Sequence, residues 1–182
     1  MATHICPSVA GDGRAKHEKG LSMSELNAAA SGTFKIGGQT KINRLGFGAM
    51  RITGPGIWGE PTDRAEAIRT LKRLPELGVD FIDTANSYGP DVSERLIREA
   101  LHPYGGILVA TKAGLTRGGP DRWTTKGDPD HLIAEARKSQ QKLGVEQIGF
   151  GSFTASTPKC LAASSSPPSS RCLTTAPSSM PA

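Results

Sequence analysis

Between residues 32 and 150 the sequence alternates short apolar, β-branched segments with longer amphipathic ones, and this alternation constrains the fold more than any other feature. It predicts strands at residues 45–50, 79–85 and 107–113, helices at residues 62–77, 93–101 and 129–143, and a fourth strand that begins at residue 148. Asp63 and Asp128 stand where helix N-caps are expected. Gly78 and Gly144 follow two predicted helices, as C-capping glycines do. Strands that alternate with helices are typical of a parallel sheet covered by helices, so we predict an α/β fold.

The alternating region has a hairpin in front of it and a segment of different composition on either side. Residues 33–36 and 40–43 flank Gly37 and Gly38, which supply the positive φ angles that a tight hairpin turn requires. Residues 1–31 show no periodic apolar pattern, and residues 151–182 contain nine Ser and five Pro but no acidic residue, so neither segment is expected to form a core. We therefore predict a disordered leader at 1–31, a folded unit at 32–150 and a Ser/Pro-rich disordered tail at 151–182.

Composition excludes several classes of function. No stretch approaches the roughly 18 consecutive apolar residues of a membrane-spanning helix, and no signal-peptide core is present, so we expect a cytosolic protein without a membrane partner. The three cysteines lack metal-ligand spacing, and we predict no metal site. The net charge of +5 is scattered among acidic residues, which favours solvated faces over a nucleic-acid interface.

Three residues at predicted strand ends form the candidate catalytic group. Asp83 ends one apolar strand, Tyr88 follows five residues later, and Lys112 ends the next strand. The carboxyl ends of neighbouring parallel strands meet at the edge where α/β sheets bind ligands, so these side chains are expected to lie together. A buried ammonium beside a phenol stabilises the phenolate and makes the tyrosine a usable proton donor and acceptor. Asp83 would compensate the charge of Lys112.

The motif Asp83-Thr84-Ala85-Asn86-Ser87-Tyr88-Gly89, followed by a strand that ends in Lys112, resembles the aldo-keto reductases. In that family a strand-ending D-x-A-x-x-Y-G and a strand-ending Lys belong to a catalytic tetrad of Asp, Tyr, Lys and His on a (β/α)8 TIM barrel. The resemblance implies NADPH-dependent reduction of a small-molecule aldehyde or ketone, with Tyr88 as the proton donor and with Lys112 and Asp83 tuning that tyrosine. It also implies that the initial hairpin closes the bottom of the barrel.

The first predicted strand carries the expected cofactor contacts. Residues 45–51 resemble the family's first strand and cofactor-facing loop, and the resemblance implies that Gly48, Ala49 and Met50 lie near the nicotinamide and the substrate. Trp58 lies in the following loop, where it lines a pocket or packs on the surface; the sequence leaves both open.

The resemblance ends near residue 150, before the histidine that should end the fourth strand. We expect an incomplete barrel, because the chain supplies the hairpin and about four βα units of an architecture that needs about 250 residues. Reading codons compatible with residues 150–155 one nucleotide earlier permits Trp-Gln-Leu-His-Arg, which is similar to the family's fourth strand. Our hypothesis is that residues from Gly151 onward are an out-of-frame translation, and we expect a truncated, marginally stable chain with impaired activity.

Two other functions are compatible with the sequence. In one, the half-barrel is a non-catalytic binding or assembly module that self-associates through its exposed sheet edges. The joint presence of Asp83, Tyr88 and Lys112 favours the enzyme over this alternative. The other, a basic nucleic-acid-binding protein, depends only on net charge and is the weakest of the three.

Overall fold

The computed structural model describes residues 26–153, in which strands and helices follow one another much as the sequence pattern predicts. The strands of this part of the chain are β1 (Thr33–Ile36), β2 (Thr40–Asn43), β3 (Phe47–Gly48), β4 (Phe81–Asp83), β5 (Leu108–Ala113), β6 (Leu115–Gly119), β7 (Arg122–Thr125) and β8 (Phe150–Phe153). Its α-helices are α1 (Arg64–Arg73), α2 (Val92–Leu101) and α3 (Pro129–Leu143). Short 3-10 turns occur at Ala28–Ser31, Ala49–Ile52, Pro55–Ile57 and Pro75–Leu77.

A four-stranded parallel sheet organises these elements in the order β3-β4-β5-β8, which is also their order along the chain. Phe47 pairs with Ile82, Ile82 with Val109, and Ala110 with Phe150. Along the chain, the helices α1, α2 and α3 each connect one strand of this sheet to the next. All four strands therefore point the same way, and their carboxyl ends form a single edge.

The β1–β2 hairpin lies at the opposite end of the sheet. Its turn contains Gly37 and Gly38, whose φ angles of +58° and +75° confirm the predicted glycine turn. Asn43, the last residue of β2, donates its backbone N–H to the Asp80 carboxylate at 2.9 Å and its side-chain amide to the Gly78 carbonyl at 2.8 Å. Because Asp80 immediately precedes β4, the hairpin is anchored at the amino ends of the strands.

The core lies between the sheet and the helices. The largest of its apolar side chains that are at most 1% exposed come from α1, β4, α2 and α3, and they are Leu71, Ile82, Leu96, Ile97 and Leu143. α2 contributes most to this core, because Val92, Leu96 and Ile97 are all buried along one face. Burial of these side chains supplies the main driving force that holds the helices against the sheet.

Three predicted elements have different limits in the structure. The strand expected at residues 45–50 pairs only at Phe47–Gly48, and residues 49–52 turn into a 3-10 helix. The helix expected to reach residue 77 ends at Arg73, since Pro75 lacks the backbone N–H that would continue the α-helix. The strand expected at residues 79–85 pairs only at Phe81–Asp83. By contrast, α3 has the predicted limits.

The limits predicted for the folded unit are also too narrow. Ala28–Ser31 forms a 3-10 turn that is capped by the Asn27 side chain, and Ala28 is 2% exposed in the core, so ordered structure begins before residue 32. β8 continues past residue 150 to Phe153, because those residues pair with β5. The remainder of the predicted leader and tail, residues 1–25 and 154–182, lies outside the described residues.

The core supports a direct stability prediction. We expect Ile97→Ala to lower the free energy of unfolding by about 2–5 kcal/mol, because it removes a fully buried side chain and leaves a cavity. Ile133→Ala is the matched control: that side chain on α3 is 43% exposed, and its loss is expected to change stability by no more than about 0.5 kcal/mol. Urea denaturation followed by circular dichroism measures both, and equal effects would contradict the assignment of the core.

Candidate active site

The carboxyl ends of β4 and β5 bring an acid and a lysine into direct contact. Asp83 is the last residue of β4 and pairs with Ala110 of β5, and Lys112 lies two residues further along β5 on the same face. Lys112 Nζ donates to Asp83 Oδ1 at 2.7 Å and to Oδ2 at 2.6 Å. It also donates to the backbone carbonyl of Thr84 at 2.9 Å. The Lys112 side chain is 17% exposed, so a largely buried ammonium is balanced by a carboxylate and a carbonyl.

Tyr88 completes the group that the sequence predicts. It lies in the loop between β4 and α2, and Lys112 Nζ is 5.2 Å from the centroid of its ring. The loop is held by its own backbone, since Tyr88 donates its N–H to the Ala85 carbonyl at 3.1 Å and its own carbonyl accepts from the Ser93 N–H at 3.2 Å. An ammonium at this distance is attracted to the face of the ring. The structure thus brings Asp83, Tyr88 and Lys112 together.

The three residues expected near a cofactor have different environments. Gly48 ends β3, pairs in register with Asp83 and is exposed, and a Cβ added there would meet nothing within 4 Å. Met50 is 36% exposed and follows Gly48 by two residues in the sequence. The Ala49 side chain is 0% exposed and packs in the hydrophobic core, so any contact of this residue with a cofactor would be through its backbone. Open space beside Asp83 therefore lies over Gly48.

The loop after β3 is tied to the Tyr88 loop. Trp58 forms an isolated parallel bridge with Gly89, and the Gly59 N–H donates to the Gly89 carbonyl at 2.7 Å. Trp58 is half-buried and packs against the guanidinium of Arg117, whose Cζ is 5.7 Å from the centroid of its ring. The sequence leaves open whether Trp58 lines a pocket or packs on the surface. In the structure it packs against the Arg117 side chain.

The sequence prediction missed the β6–β7 hairpin, which lies between β5 and α3. The end of β6 and the turn after it read Gly118-Gly119-Pro120-Asp121, which is a strong turn signal. Trp123 and Thr124 that follow are strand formers, so the pattern could have been found. Arg117 of β6, which contacts both the Trp58 loop and the Tyr88 loop, was missed with it.

A second polar contact missed by the prediction joins the Tyr88 loop to α3. Asn86 donates its side-chain amide to Glu135 Oε2 at 2.8 Å, and Lys138 donates to the other oxygen of this carboxylate at 2.7 Å. Burial by itself raises the pKa of Glu135, but the hydrogen bonds from Lys138 and Asn86, together with the nearby positive charge of Lys138, lower that pKa below its usual value. The loop that carries Tyr88 is thereby fastened to α3.

Comparison with known proteins identifies the family of this chain. The family model described as "Aldo/keto reductase family" matches residues 44–157. The chain belongs to the aldo/keto reductase family. The match begins after the β1–β2 hairpin and extends past the predicted boundary at residue 150. The TIM-barrel type of fold predicted from the sequence is confirmed, for the part of the barrel that is present.

Several aldo/keto reductase relatives are similar over most of the described residues. The chain is 52% identical over 141 residues to an uncharacterized oxidoreductase of Schizosaccharomyces pombe, covering 78% of this chain and 46% of that protein. It is 42% identical over 120 residues to pyridoxine 4-dehydrogenase of Escherichia coli, covering 65% of this chain and 42% of that protein. Among solved structures, glycerol dehydrogenase from Gluconobacter oxydans is 32% identical with a TM-score of 0.59, covering 68% of this chain and 39% of that one. The chain thus spans less than half the length of these relatives.

Two structural features are absent from residues 26–153. These residues contain no helix that is long and apolar enough to cross a membrane. Within the same residues, no group of three or more His, Cys, Asp or Glu side chains is arranged to hold a metal ion.

A buried glutamate beneath the site predicts an unusual dependence of stability on pH. Glu94 of α2 is 0% exposed and accepts from Thr111, the neighbour of Lys112, at 2.6 Å. Burial is the largest influence on its carboxyl group and raises the pKa of Glu94 above the ordinary 4.5. The folded state therefore holds this proton more tightly than the unfolded chain, and the Glu94 contribution to stability falls as pH rises through the interval between the unfolded and folded pKa values.

We expect Glu94→Gln to remove this loss, because glutamine keeps an acceptor oxygen for Thr111 but carries no charge. The difference in unfolding free energy between the variant and the parent protein should grow in favour of the variant from acid to neutral pH. Glu135→Gln is the matched control with the opposite sign: the lowered pKa of Glu135 makes its carboxylate stabilising above the unfolded pKa, so this variant should lose stability relative to the parent as pH rises. Denaturant unfolding at several pH values measures both, and parallel curves would contradict the prediction.

Proposed function

We propose that this chain carries the proton-transfer residues of an NADPH-dependent oxidoreductase that reduces aldehydes or ketones to alcohols. The observation that supports this proposal most is the contact of Lys112 with both oxygens of Asp83 beside the ring of Tyr88. Membership of the aldo/keto reductase family adds the reaction class, and the names of two similar proteins, an oxidoreductase and a dehydrogenase, agree with it. Because the chain spans less than half the length of these relatives, we propose the complete reduction for this chain and do not carry it over from them.

In the proposed reaction, Tyr88 is the proton donor. Its hydroxyl donates to the carbonyl oxygen of the substrate, and negative charge develops on the phenol oxygen as the proton leaves. Lys112 lies beside the ring and stabilises that charge. Tyr88 and Lys112 are therefore the residues that act on the reacting atoms.

Asp83 and the Thr84 carbonyl hold Lys112 in place for this role. An isolated ammonium that is 17% exposed would be costly to keep charged, and the carboxylate offsets that cost. The three hydrogen bonds also use all three N–H donors of the ammonium, which fixes its position relative to the ring of Tyr88.

The residues present fit the approach of a nicotinamide ring. Gly48 leaves open space beside Asp83, and the exposed Met50 lies close by in the chain, so these two residues would contact the ring. When bound, NADPH supplies the hydride that reduces the carbonyl carbon. The core position of Ala49 limits it to shaping the floor of this site.

A second candidate function is assembly through the sheet edges. Within the described residues, β3 and β8 each pair with one strand of the parallel sheet, and the Phe150 side chain on β8 is 38% exposed. An unpaired edge with an exposed aromatic favours self-association. Sedimentation velocity at several concentrations tests this function, and a monomer at all of them would reject it.

The proposed reaction predicts the effect of one hydroxyl group. We expect Tyr88→Phe to lower turnover of a generic aldehyde by about 100-fold or more, with unchanged NADPH affinity, because the proton donor is lost and the ring is kept. Tyr104→Phe is the matched control, since it removes the only other tyrosine hydroxyl in the chain. Tyr104 lies between α2 and β5, at the amino ends of the strands, and its hydroxyl donates to the Leu143 carbonyl at 2.5 Å.

Steady-state kinetics with purified protein and a fluorescence titration of NADPH measure these effects. Equal losses of turnover in the two variants would attribute the effect to a general disturbance of the fold. Undiminished turnover in Tyr88→Phe would reject Tyr88 as the proton donor.

A further inference from the structure

The side chain of Arg117 connects the β6–β7 hairpin to two loops at the carboxyl ends of the strands. A guanidinium has five N–H donors in a rigid plane, and in this structure each makes one hydrogen bond to a backbone carbonyl. Nη1 donates to the carbonyls of Ile57 at 2.7 Å and Ser87 at 3.0 Å. Nη2 donates to the carbonyls of Gly56 at 2.8 Å and Gly119 at 3.3 Å. Nε donates to the Arg122 carbonyl at 3.2 Å.

These acceptors lie on three separate segments. Gly56 and Ile57 belong to the loop after β3, and Ser87 belongs to the loop between β4 and α2, one residue before Tyr88. The remaining two acceptors belong to the hairpin itself. The Arg117 side chain thus joins the β6–β7 hairpin to the loop after β3, which we call the first loop, and to the Tyr88 loop.

Two tryptophans pack around the same guanidinium. Its Cζ lies 3.7 Å from the ring centroid of Trp123 on β7 and 5.7 Å from that of Trp58 on the first loop. Burial lowers the pKa of Arg117, and within residues 26–153 no carboxylate lies within ion-pair distance of it. Carbonyl dipoles and aromatic faces therefore surround the charge, and the Asp121 carboxylate favours it from beyond ion-pair distance.

With all five donors engaged, Arg117 has no N–H left for an anionic ligand. Its effect on the site must pass through the backbone that it holds. This distinguishes it from an arginine that recognises a phosphate or a carboxylate directly.

The first loop is held under backbone strain where Arg117 contacts it. Ile57 has a φ angle of +55°, which a β-branched residue rarely adopts, and its carbonyl also accepts from the Gly89 N–H at 3.3 Å. Gly56, with a φ of +66°, packs so closely on the hairpin turn that a Cβ there would lie 2.9 Å from the Cβ of Pro120 and 2.9 Å from Asp121 Oδ2. The loop keeps this conformation because the hairpin and the Tyr88 loop enclose it.

We propose that Arg117 is a positioning residue for Tyr88: it clamps the Ser87 carbonyl to the first loop and to the β6–β7 hairpin, and so fixes the tyrosine beside Lys112. The expected effect on turnover rests on the proposed function. The contacts of Arg117 with the loops do not, and hydrogen exchange tests them separately. A lysine cannot replace it, because three donors on a single nitrogen cannot span carbonyls on three segments.

Hydrogen exchange of the full chain, followed by mass spectrometry, tests the clamp without requiring activity. We expect Arg117→Ala to speed exchange at Gly59, Gly89 and Asp91, whose N–H groups join or close the two loops, by about tenfold or more. Gln39 and Arg44 of the β1–β2 hairpin, at the other end of the sheet, should exchange unchanged. Arg117→Lys should behave like Arg117→Ala.

Arg122→Ala is the matched control, because it removes an exposed guanidinium from the same hairpin and leaves the backbone carbonyl that Arg117 uses. Gly56→Ala disturbs the clamp from the loop side without changing any charge, and should speed exchange at the same three amides. It provides the test if Arg117→Ala fails to fold. Loop exchange in Arg117→Ala that matches Arg122→Ala would overturn the proposal.

Turnover and chemical rescue separate positioning from a general loss of structure. In a chain that reduces an aldehyde, Arg117→Ala should lower kcat by about 10- to 100-fold, and millimolar methylguanidinium should restore part of it while methylammonium does not. A kcat within about twofold of the parent value, or equal rescue by both cations, would overturn the proposal. If the parent chain shows no turnover, the proposed function fails, and the exchange data alone decide whether Arg117 holds the loop.

Discussion

The ion pair between Lys112 and Asp83 is the interaction around which the site is organised. Both residues lie at the carboxyl ends of neighbouring strands, and their contact requires the register in which Asp83 pairs with Ala110. A shift of one residue in this pairing would turn Lys112 to the other face and leave a charge without its partner. The proposed chemistry of the site therefore depends on strand register, and register depends in turn on the core formed by Ile82 and Val109.

The two ends of the sheet carry different tasks. At the amino ends, the β1–β2 hairpin is fastened through Asn43 and Asp80, and these contacts stabilise the fold. At the carboxyl ends, the loop with Tyr88 is fastened to α3 through Asn86 and to the β6–β7 hairpin through Arg117. This loop lies beyond the ends of the strands, so side chains from α3 and from the β6–β7 hairpin hold it in place.

The sequence predicts where the three candidate catalytic residues meet, because their placement depends on position along strands. Asp83, Tyr88 and Lys112 are separated by spacings that a parallel sheet brings to one edge, and the structure joins them there. α3 is predicted with the right limits, since Pro129 and Gly144 mark its two ends. The β3 strand is predicted too long, because Ala49 and Met50 continue an apolar strand pattern, whereas residues 49–52 form a 3-10 turn that places Ala49 and Ile52 in the core. Arg117 could not be found in this way: its acceptors are backbone carbonyls, which every residue carries.

Turnover in a double-mutant cycle between Tyr88 and Lys112 tests the central claim, that Lys112 acts through the tyrosine beside it. The cycle compares aldehyde reduction by the parent chain, Tyr88→Phe, Lys112→Met and the double variant. If the ammonium works on the phenol, Lys112→Met lowers kcat in the parent background and causes little further loss once the hydroxyl is gone. Losses that multiply in the double variant would show that the two residues act independently, and would contradict the claim that the ammonium serves the phenol.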